Sequence, residues 1–550
     1  MTQEQVPVLV VGAGGAGLSL SLLLLQQGLN PLVVERRADI SMYPRARNLT
    51  FRSLEVFRGL GLEGEVRAVA TSASQTILKE KLSDSASQKM LDAAELLEHL
   101  QVLSPDPVLQ YCPQSSLEPV LLTAAQQRGG DVRYGTELVS FTQDEQGVTA
   151  TLKERASGRV SVVRADYLVA ADGTHSHIRE TLGIPSQGLG ELPEYMIFVY
   201  FRAPLQEFIA GHEADAFVIR NAVVFGLFLP AKEDLGLFAI TYRPEEGEAF
   251  GESTAERCKD LILKAIGQEI PVEIVDIAPW RATERVADQF QQGRVFLVGD
   301  AAHTMPPYKG LGVNTAIQSA QNLAWKLAAV IRGQADSELL ATYQAERHPV
   351  ARFVTEQSLT GPAAAWLVKV LPLPEEKDLP LFYPIVGYRY RSQALLEEAK
   401  VSALRDEIAL LDSQELTGLP GTRVPHVWLE RQGQRISTLD LLDGRFVLLT
   451  GKDGAPWCEA KVSVKASLGI ELAAYHIGPD ADLLDLEHDW STKLGVSPEG
   501  AVLIRPDGFV AWRTSALTAT PGSDLAQVLS RILGRPTAPP VSQRSMFCVA

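Results

Sequence analysis

Four cysteines in 550 residues, Cys112, Cys258, Cys458 and Cys548, stand far apart and form no CxxC pair. That pattern argues against a disulfide framework and against a zinc site; it fits free thiols in a cytosolic enzyme, and no metal is expected. Basic residues are outnumbered, 51 Lys and Arg against 67 Asp and Glu, for a formal net charge of -16. Nucleic acid is a poor partner for such a chain, because phosphate contacts draw on a surplus of Lys and Arg. An anionic cofactor is not excluded, since a local helix N-terminus suffices to hold one. No apolar run is long enough to cross a membrane: the longest, Leu18 to Leu25, is interrupted by serines. No basic region precedes it, so it does not read as a signal peptide, and the cytoplasm is the expected location. Internal repeats and long low-complexity tracts are absent as well.

What remains is ordinary globular composition, 46% hydrophobic and 7% aromatic, at a length suited to three or four domain-sized units. Strand-like runs occupy 147–152, 159–163, 195–201, 222–228 and 235–242, with helices expected at 254–267, 312–333 and 392–411. The stretch from about 190 to 275 reads as an antiparallel sheet inserted into the chain. Gly418-Leu-Pro-Gly421 marks a boundary before a separate α/β unit.

Three turns carry the chemistry. Val8-Leu-Val-Val-Gly12-Ala-Gly14-Gly-Ala-Gly17 is a strand entering GxGxxG, followed by a helix and by a second strand ending in Glu35, 23 residues after Gly12. The spacing suits a dinucleotide: Gly12 for the tight turn, Gly14 for close approach to a pyrophosphate, Gly17 for helix packing, and the acid for a ribose hydroxyl. This loop alone does not separate FAD from NAD. Ala165-Asp-Tyr-Leu-Val-Ala-Ala171-Asp172-Gly173 is a strand ending in a turn, with Ser176 and Arg179 opening a helix; alone it is equally a simple turn. Gly293-Arg-Val-Phe-Leu-Val-Gly299-Asp300 ends another buried strand and leads through Pro306, Pro307, Gly310 and Gly312 to Asn314. There an aspartate can bond a polyol hydroxyl, and a helix start can offer N–H groups to an electron-rich ring. His303 reads as a structural hydrogen-bonder.

The ordered triplet resembles the single-component (class A) flavin aromatic hydroxylases, the para-hydroxybenzoate hydroxylase and phenol hydroxylase family, and the likeness extends over almost the whole chain. Pro44-Arg45, Arg52-Ser53, Leu60-Gly61, Gln114 in Cys-Pro-Gln-Ser, and Tyr343-Gln-Ala-Glu-Arg347-His-Pro349 are similar to further family segments. The resemblance implies an α/β fold: a Rossmann-type FAD-binding domain (1–185 and 279–395, with an excursion near 75–105), an inserted antiparallel-sheet substrate domain (186–278) and a C-terminal thioredoxin-like domain (418–535). It implies that Gly12, Gly14, Gly17, Glu35, Arg36, Arg45, Gln114, Asp172, Asp300, Pro307, Gly310, Gly312, Val313 and Asn314 bind FAD, with NADPH or NADH docking transiently as co-substrate. The chemistry it implies is addition of O2 at flavin C4a and delivery of OH by the hydroperoxide to an electron-rich ring; Baeyer–Villiger insertion, epoxidation, a non-oxygenating flavin dehydrogenase or reductase and a non-catalytic FAD-binding protein are the alternatives. No catalytic base is named, since a phenol activates its own ring.

Tyr200, Phe225, Leu227, Tyr242 and Trp280 are candidate substrate walls, for an aromatic of phenolic or polyketide type. Lys309 stands where the family has a glycine; it either meets an anionic substrate or peroxide or points to solvent. Pro456-Trp-Cys458 lies where a redox motif would be, but one cysteine has no local partner for disulfide exchange. A homodimer is a possible assembly.

Overall fold

The computed structural model describes residues 4–41, 48–72, 75–92, 100, 102–209, 214–230, 234–242, 254–361, 364, 378–396, 408–412 and 417–535. Two compact units emerge, one from residues 1–324 and 347–388, the other from 325–346 and 389–550. Among the described residues no helix is long and apolar enough to cross a membrane.

Among its described residues the first unit holds two large sheets and a small one of Asn48–Thr50, Leu109–Tyr111 and Thr71–Ser72. In the first, strands Val295–Leu297, Val160–Ala170, Glu4–Val11, Leu32–Glu35 and Asp131–Tyr134 lie side by side, and every one of these pairings is parallel. Strand Glu4–Val11 is central and fully apolar at its end, with Val8, Leu9 and Val10 wholly buried, as a strand covered on both faces must be. The chain leaves it toward Leu32–Glu35 on one side, while Val160–Ala170 flanks it on the other. Beyond the carboxyl ends of strands that part in this way lies the crevice in which open α/β sheets bind ligands. Strand Gly147–Glu154 extends this sheet as an antiparallel neighbour of Val160–Ala170, and Thr136–Asp144 pairs antiparallel with Gly147–Glu154 in turn.

The second sheet runs, from edge to edge, His303–Thr304, Glu273–Ala287, Ser186–Arg202, Leu235–Tyr242, Phe225–Pro230, Ala214–Arg220, Gln75–Lys79, Gln88–Asp92. Alternation divides its residues between two faces. Ile197, Val199, Phe201, Phe217, Ile219, Phe228, Phe238 and Ile240 pack in one core with helix Ala255–Ile266. That helix buries Cys258, Ile262, Ala265 and Ile266, begins at Thr254, whose side chain accepts from the Arg257 N–H, and stops at Gly267 in the left-handed region. The opposite face carries Phe198, Tyr200, Leu227, Leu229 and Leu237.

In the second unit, strands Leu472–His476, Phe446–Thr450, Ala501–Ile504 and Val510–Thr514 form a thioredoxin-like sheet. Phe446, Leu448, Ala501 and Leu503 meet helices Ala455–Leu468 and Pro521–Ile532 on one face. Val447, Leu449, Val502 and Ile504 fill a second core on the other. A buried charge network lies in the same unit: Lys326 Nζ bonds Glu346 Oε2 at 2.8 Å, and Arg505 grips both Glu346, at 2.6 Å, and Asp507.

Two expected elements are corrected. The helix expected at 392–411 is absent at both of its described ends, where residues 392–396 form a turn and Ala409–Leu410 is a short strand; 397–407 lie outside the described residues. The strand expected at 222–228 is displaced to Phe225–Pro230, because Asn221 caps a turn, its Oδ1 accepting from the N–H groups of Val223 and Val224.

Candidate active site

The three turns read from the sequence converge at one end of the parallel sheet. A Cβ on Gly12, whose φ is +110°, would lie 2.2 Å from the Ala171 carbonyl, so the GxGxxG loop abuts the Asp172 turn. A Cβ on Gly17 would lie 1.9 Å from the Gly12 carbonyl. A Cβ on Gly299 would lie 2.9 Å from Ala16 Cβ and 3.4 Å from Ala316 Cβ, and one on Gly15 3.3 Å from Val313. These contacts bring the N-termini of helices Gly15–Gln26 and Gly312–Ile331 to a common cleft. Their first N–H groups have no intrahelical acceptor and face whatever binds there.

The polar groups around this cleft fit a dinucleotide. Glu35 is 6% exposed; its Oε2 accepts from the Ala13 N–H at 3.0 Å and its Oε1 from the Arg37 N–H, which fixes the carboxylate beside the loop. Asp300 is an exposed residue at the strand end; desolvation by the surrounding protein raises its pKa, and Thr174 Oγ1 donates to its Oδ2 at 3.4 Å. Asp172 Oδ1 is buried and meets no hydrogen-bond partner among the described residues; desolvation raises this carboxyl too. Arg179 donates to the carbonyls of Ala301 and Thr174 and locks the second and third turns together. FAD, with a pyrophosphate for the helix ends and hydroxyls for Glu35 and Asp300, matches this donor and acceptor set.

Some residues act differently from the sequence reading. The Asn314 amide is spent within the protein: Oδ1 accepts from Thr50 N and Ser53 Oγ, and Nδ2 donates to the carbonyls of Asn48 and Gly310. Asn314 can therefore offer a ligand its backbone N–H, while its side chain shapes the loop. Gln114 donates to Glu118, a carboxyl that the sequence reading passed over. Glu118 is 2% exposed, sits 3.6 Å from the Gly14 Cβ position, and is shifted toward the protonated form by burial. Its signal was available, four residues after Gln114 on one helix face. His303 is buried, with neither ring nitrogen bonded among the described residues; burial, then the Arg347 charge, depress its pKa to about 3. It is a neutral core ring, and the structural hydrogen bond expected of it is not made by its ring to any described residue. Arg36 is exposed, Pro307 is exposed, and Arg45 lies outside the described residues.

Of the wall candidates, Trp280 stacks on Phe198 at 5.1 Å and 11° and packs, as Tyr308 of the flavin loop does, against the buried cluster of Leu192, Ala282 and Ala364. Tyr200 and Leu227 cluster with Leu229 and Leu237 on the same sheet face. Phe225 begins its strand at 51% exposure, and the Tyr242 side chain lies outside the described set. Lys309 neither approaches an open ligand position nor points to solvent. Its Nζ reaches Asp378 at 2.7 Å, Thr360 Oγ1 at 2.9 Å and Gln357 Oε1 at 3.5 Å. In the second unit, Cys458 is half-buried and its thiol is pushed up to about 11 by desolvation and then by Asp482, so it is no thiolate nucleophile.

A dinucleotide cleft beside an apolar sheet face defines a flavin-dependent oxidoreductase. Residues 5–358 match the FAD binding domain family and residues 417–536 the aromatic-ring hydroxylase C-terminal family. A putative polyketide hydroxylase of Streptomyces halstedii is 41% identical, covering 93% of this chain and 94% of that one. A 4-methyl-5-nitrocatechol 5-monooxygenase of Burkholderia sp is 37% identical over 96% of this chain and 98% of its own. The crystal structure of an aklavinone-11 hydroxylase in ternary complex with FAD and aklavinone superposes with TM-score 0.88 at 37% identity, covering 97% of this chain and 100% of that one. The chain belongs to the FAD-binding aromatic-ring hydroxylases: it is an FAD-dependent monooxygenase that consumes NAD(P)H and hydroxylates an aromatic substrate.

Proposed function

We propose that the substrate is a fused-ring, polyketide-like phenol, seated between the Pro307–Asn314 loop and the face of the second sheet. The observation that carries this reading is the apolar path along the sheet face from the Trp280–Phe198 stack to the Tyr200 and Leu227 cluster, with Tyr308 and Trp280 packed on one common cluster at its start. A path of that kind suits a flat, extended molecule better than a single ring, since stacking gains grow with the ring area covered.

Bound FAD, reduced by NAD(P)H, supplies an activated oxygen derived from O2. The protein's own part is binding and orientation. The N–H groups of Gly312, Val313 and Asn314, without an intrahelical acceptor at a helix start, would offer donors to the electron-rich ring system of FAD. Glu35 would hold the adenosine ribose, Asp300 the ribityl hydroxyls, and Gly12, Gly14 and Gly17 would admit the pyrophosphate. The stacked side chains hold the substrate ring and exclude water. No side chain is assigned as a base, because His303 is buried and neutral and Lys309 is engaged elsewhere.

The relative named for a nitrocatechol supports a second reading, a substituted single-ring phenol. The holoenzyme, supplied with NADPH or NADH and 18-labelled O2, separates the two when offered tri- and tetracyclic phenols beside substituted catechols. Labelled hydroxyl in the polycycles supports the first reading. Turnover of catechols alone overturns it, and a labelled lactone from a ketone would replace hydroxylation by Baeyer–Villiger insertion.

A further inference from the structure

The turn Pro307–Lys309 is a single 3-10 turn closed by the Gly310 N–H on the Pro307 carbonyl at 3.0 Å, and Gly310 then takes φ +65°. Its backbone is held from one side by Asn314, which donates to the Gly310 carbonyl. Lys309 holds it from the other. The lysine side chain is 13% exposed and its ammonium has three oxygen partners, from Gln357 at the end of helix Ala341–Gln357, from Thr360 just after it and from Asp378. Gln357 Oε1 also accepts from the Leu379 N–H at 3.0 Å, so both stretches are tied to each other and to the lysine. Beside it, Tyr308 packs against the cluster of Leu192, Ala282 and Ala364 that Trp280 also packs against, on the path proposed for the substrate.

We propose that Lys309 is a positioning residue: by fastening the Pro307–Gly310 turn to Gln357, Thr360 and Asp378, it holds Tyr308 on the cluster it shares with Trp280 and sets the spacing between the flavin loop and the substrate face. This rests on the substrate seat proposed above. A glycine at this position would leave the turn without any such tie. The pair is partly open to solvent, so its effect is moderate and local, felt in loop motion more than in global stability.

The test compares holoenzymes of the wild type, K309M, D378N and K309R. Amide hydrogen exchange of the peptide spanning 304–312 is expected to quicken about threefold to tenfold in K309M and D378N and to return near the wild-type rate in K309R. With any substrate the wild type hydroxylates, K309M should raise KM and lower product formed per NAD(P)H consumed, while the FAD dissociation constant stays within about twofold of the wild type. Wild-type exchange in both K309M and D378N would overturn the proposal, as would faster exchange with unchanged KM and unchanged coupling. D378N keeps the lysine and covers the case in which K309M fails to fold. If the wild type hydroxylates no aromatic compound, the substrate reading fails, whereas unaltered exchange in the variants fails this proposal alone.

Discussion

Arg179 Nη1 donates to the Ala301 carbonyl at 2.9 Å, across a sequence separation of 122 residues. Its Nη2 reaches the Thr174 carbonyl at 3.1 Å, and the side chain is 4% exposed. One planar guanidinium thus spans the Asp172 turn and the Asp300 turn, which a flexible point charge cannot do. Arg179→Met is expected to weaken FAD binding at least about tenfold, and Arg179→Lys to recover only part of it. Flavin fluorescence titration measures both; wild-type affinity in the methionine variant would rule out this bridging role.

Gly17 leaves no room for any side chain, since its Cβ would stand 1.9 Å from the Gly12 carbonyl. Gly17→Ala must push the helix start away from the loop. The expected product is a folded or marginal apoprotein that purifies without yellow colour. An alanine variant holding stoichiometric FAD would show that the helix does not need this close approach.

His303 gives stability a pH dependence of definite sign. Its folded value lies near 3, below the ordinary 6.5, so between these values the unfolded chain binds a proton that the folded one refuses. Stability is therefore lost as pH falls from 6.5 toward 3, by about 1.4 kcal/mol per unit at most, and the lowered His348 acts in the same direction. Urea unfolding should show about 2 kcal/mol lost between pH 6.5 and 5 from His303, and Phe at 303 should remove that part. Identical pH profiles for wild type and His303→Phe would contradict it.

Glu346 is the hub of the buried charges in the second unit. The Arg505 and Lys326 charges, opposing burial, hold its carboxyl well below the usual range, while burial brings Lys326 down to about 8. Glu346→Gln leaves two buried cations with one acid, Asp507, and is expected to cost about 3–5 kcal/mol. Adding Lys326→Met should return part of that loss, because one stranded charge is removed. If the double variant is the less stable of the two, the network is not governed by charge balance.

Trp280 tests the substrate face. Trp280→Ala removes the stack on Phe198 and the packing on the cluster of Leu192, Ala282 and Ala364 that Tyr308 shares. A drop of about tenfold or more in kcat/KM with FAD affinity unchanged is expected for any accepted substrate. Loss of FAD instead would make this tryptophan part of the cofactor site.

Much of the nucleotide site was legible because it depends on backbone. A GxGxxG loop, an acid at the next strand end and a Gly-Asp turn each act through local φ and N–H geometry, which short sequence segments encode. Side chains that work through distant partners were not legible. Lys309 sits 69 positions from Asp378, and nothing in the residues around 309 announces that partner. Asn314 looked like a ligand contact because of its place in a glycine-rich loop, yet its five side-chain bonds go to Asn48, Thr50, Ser53 and Gly310. The helix expected over 392–411 failed in its first residues, where Ser392 instead turns its hydroxyl to the buried Glu346.

The sequence by itself determined the class of cofactor and the order of the turns that hold it, since glycine spacing and strand periodicity are local properties. Only the tertiary structure decided which polar groups remain open to a ligand and which are consumed within the protein. That outcome depends on long-range pairings such as Arg179 with Ala301 and Lys309 with Asp378, where desolvation and geometry, and not residue type, assign each charge its role.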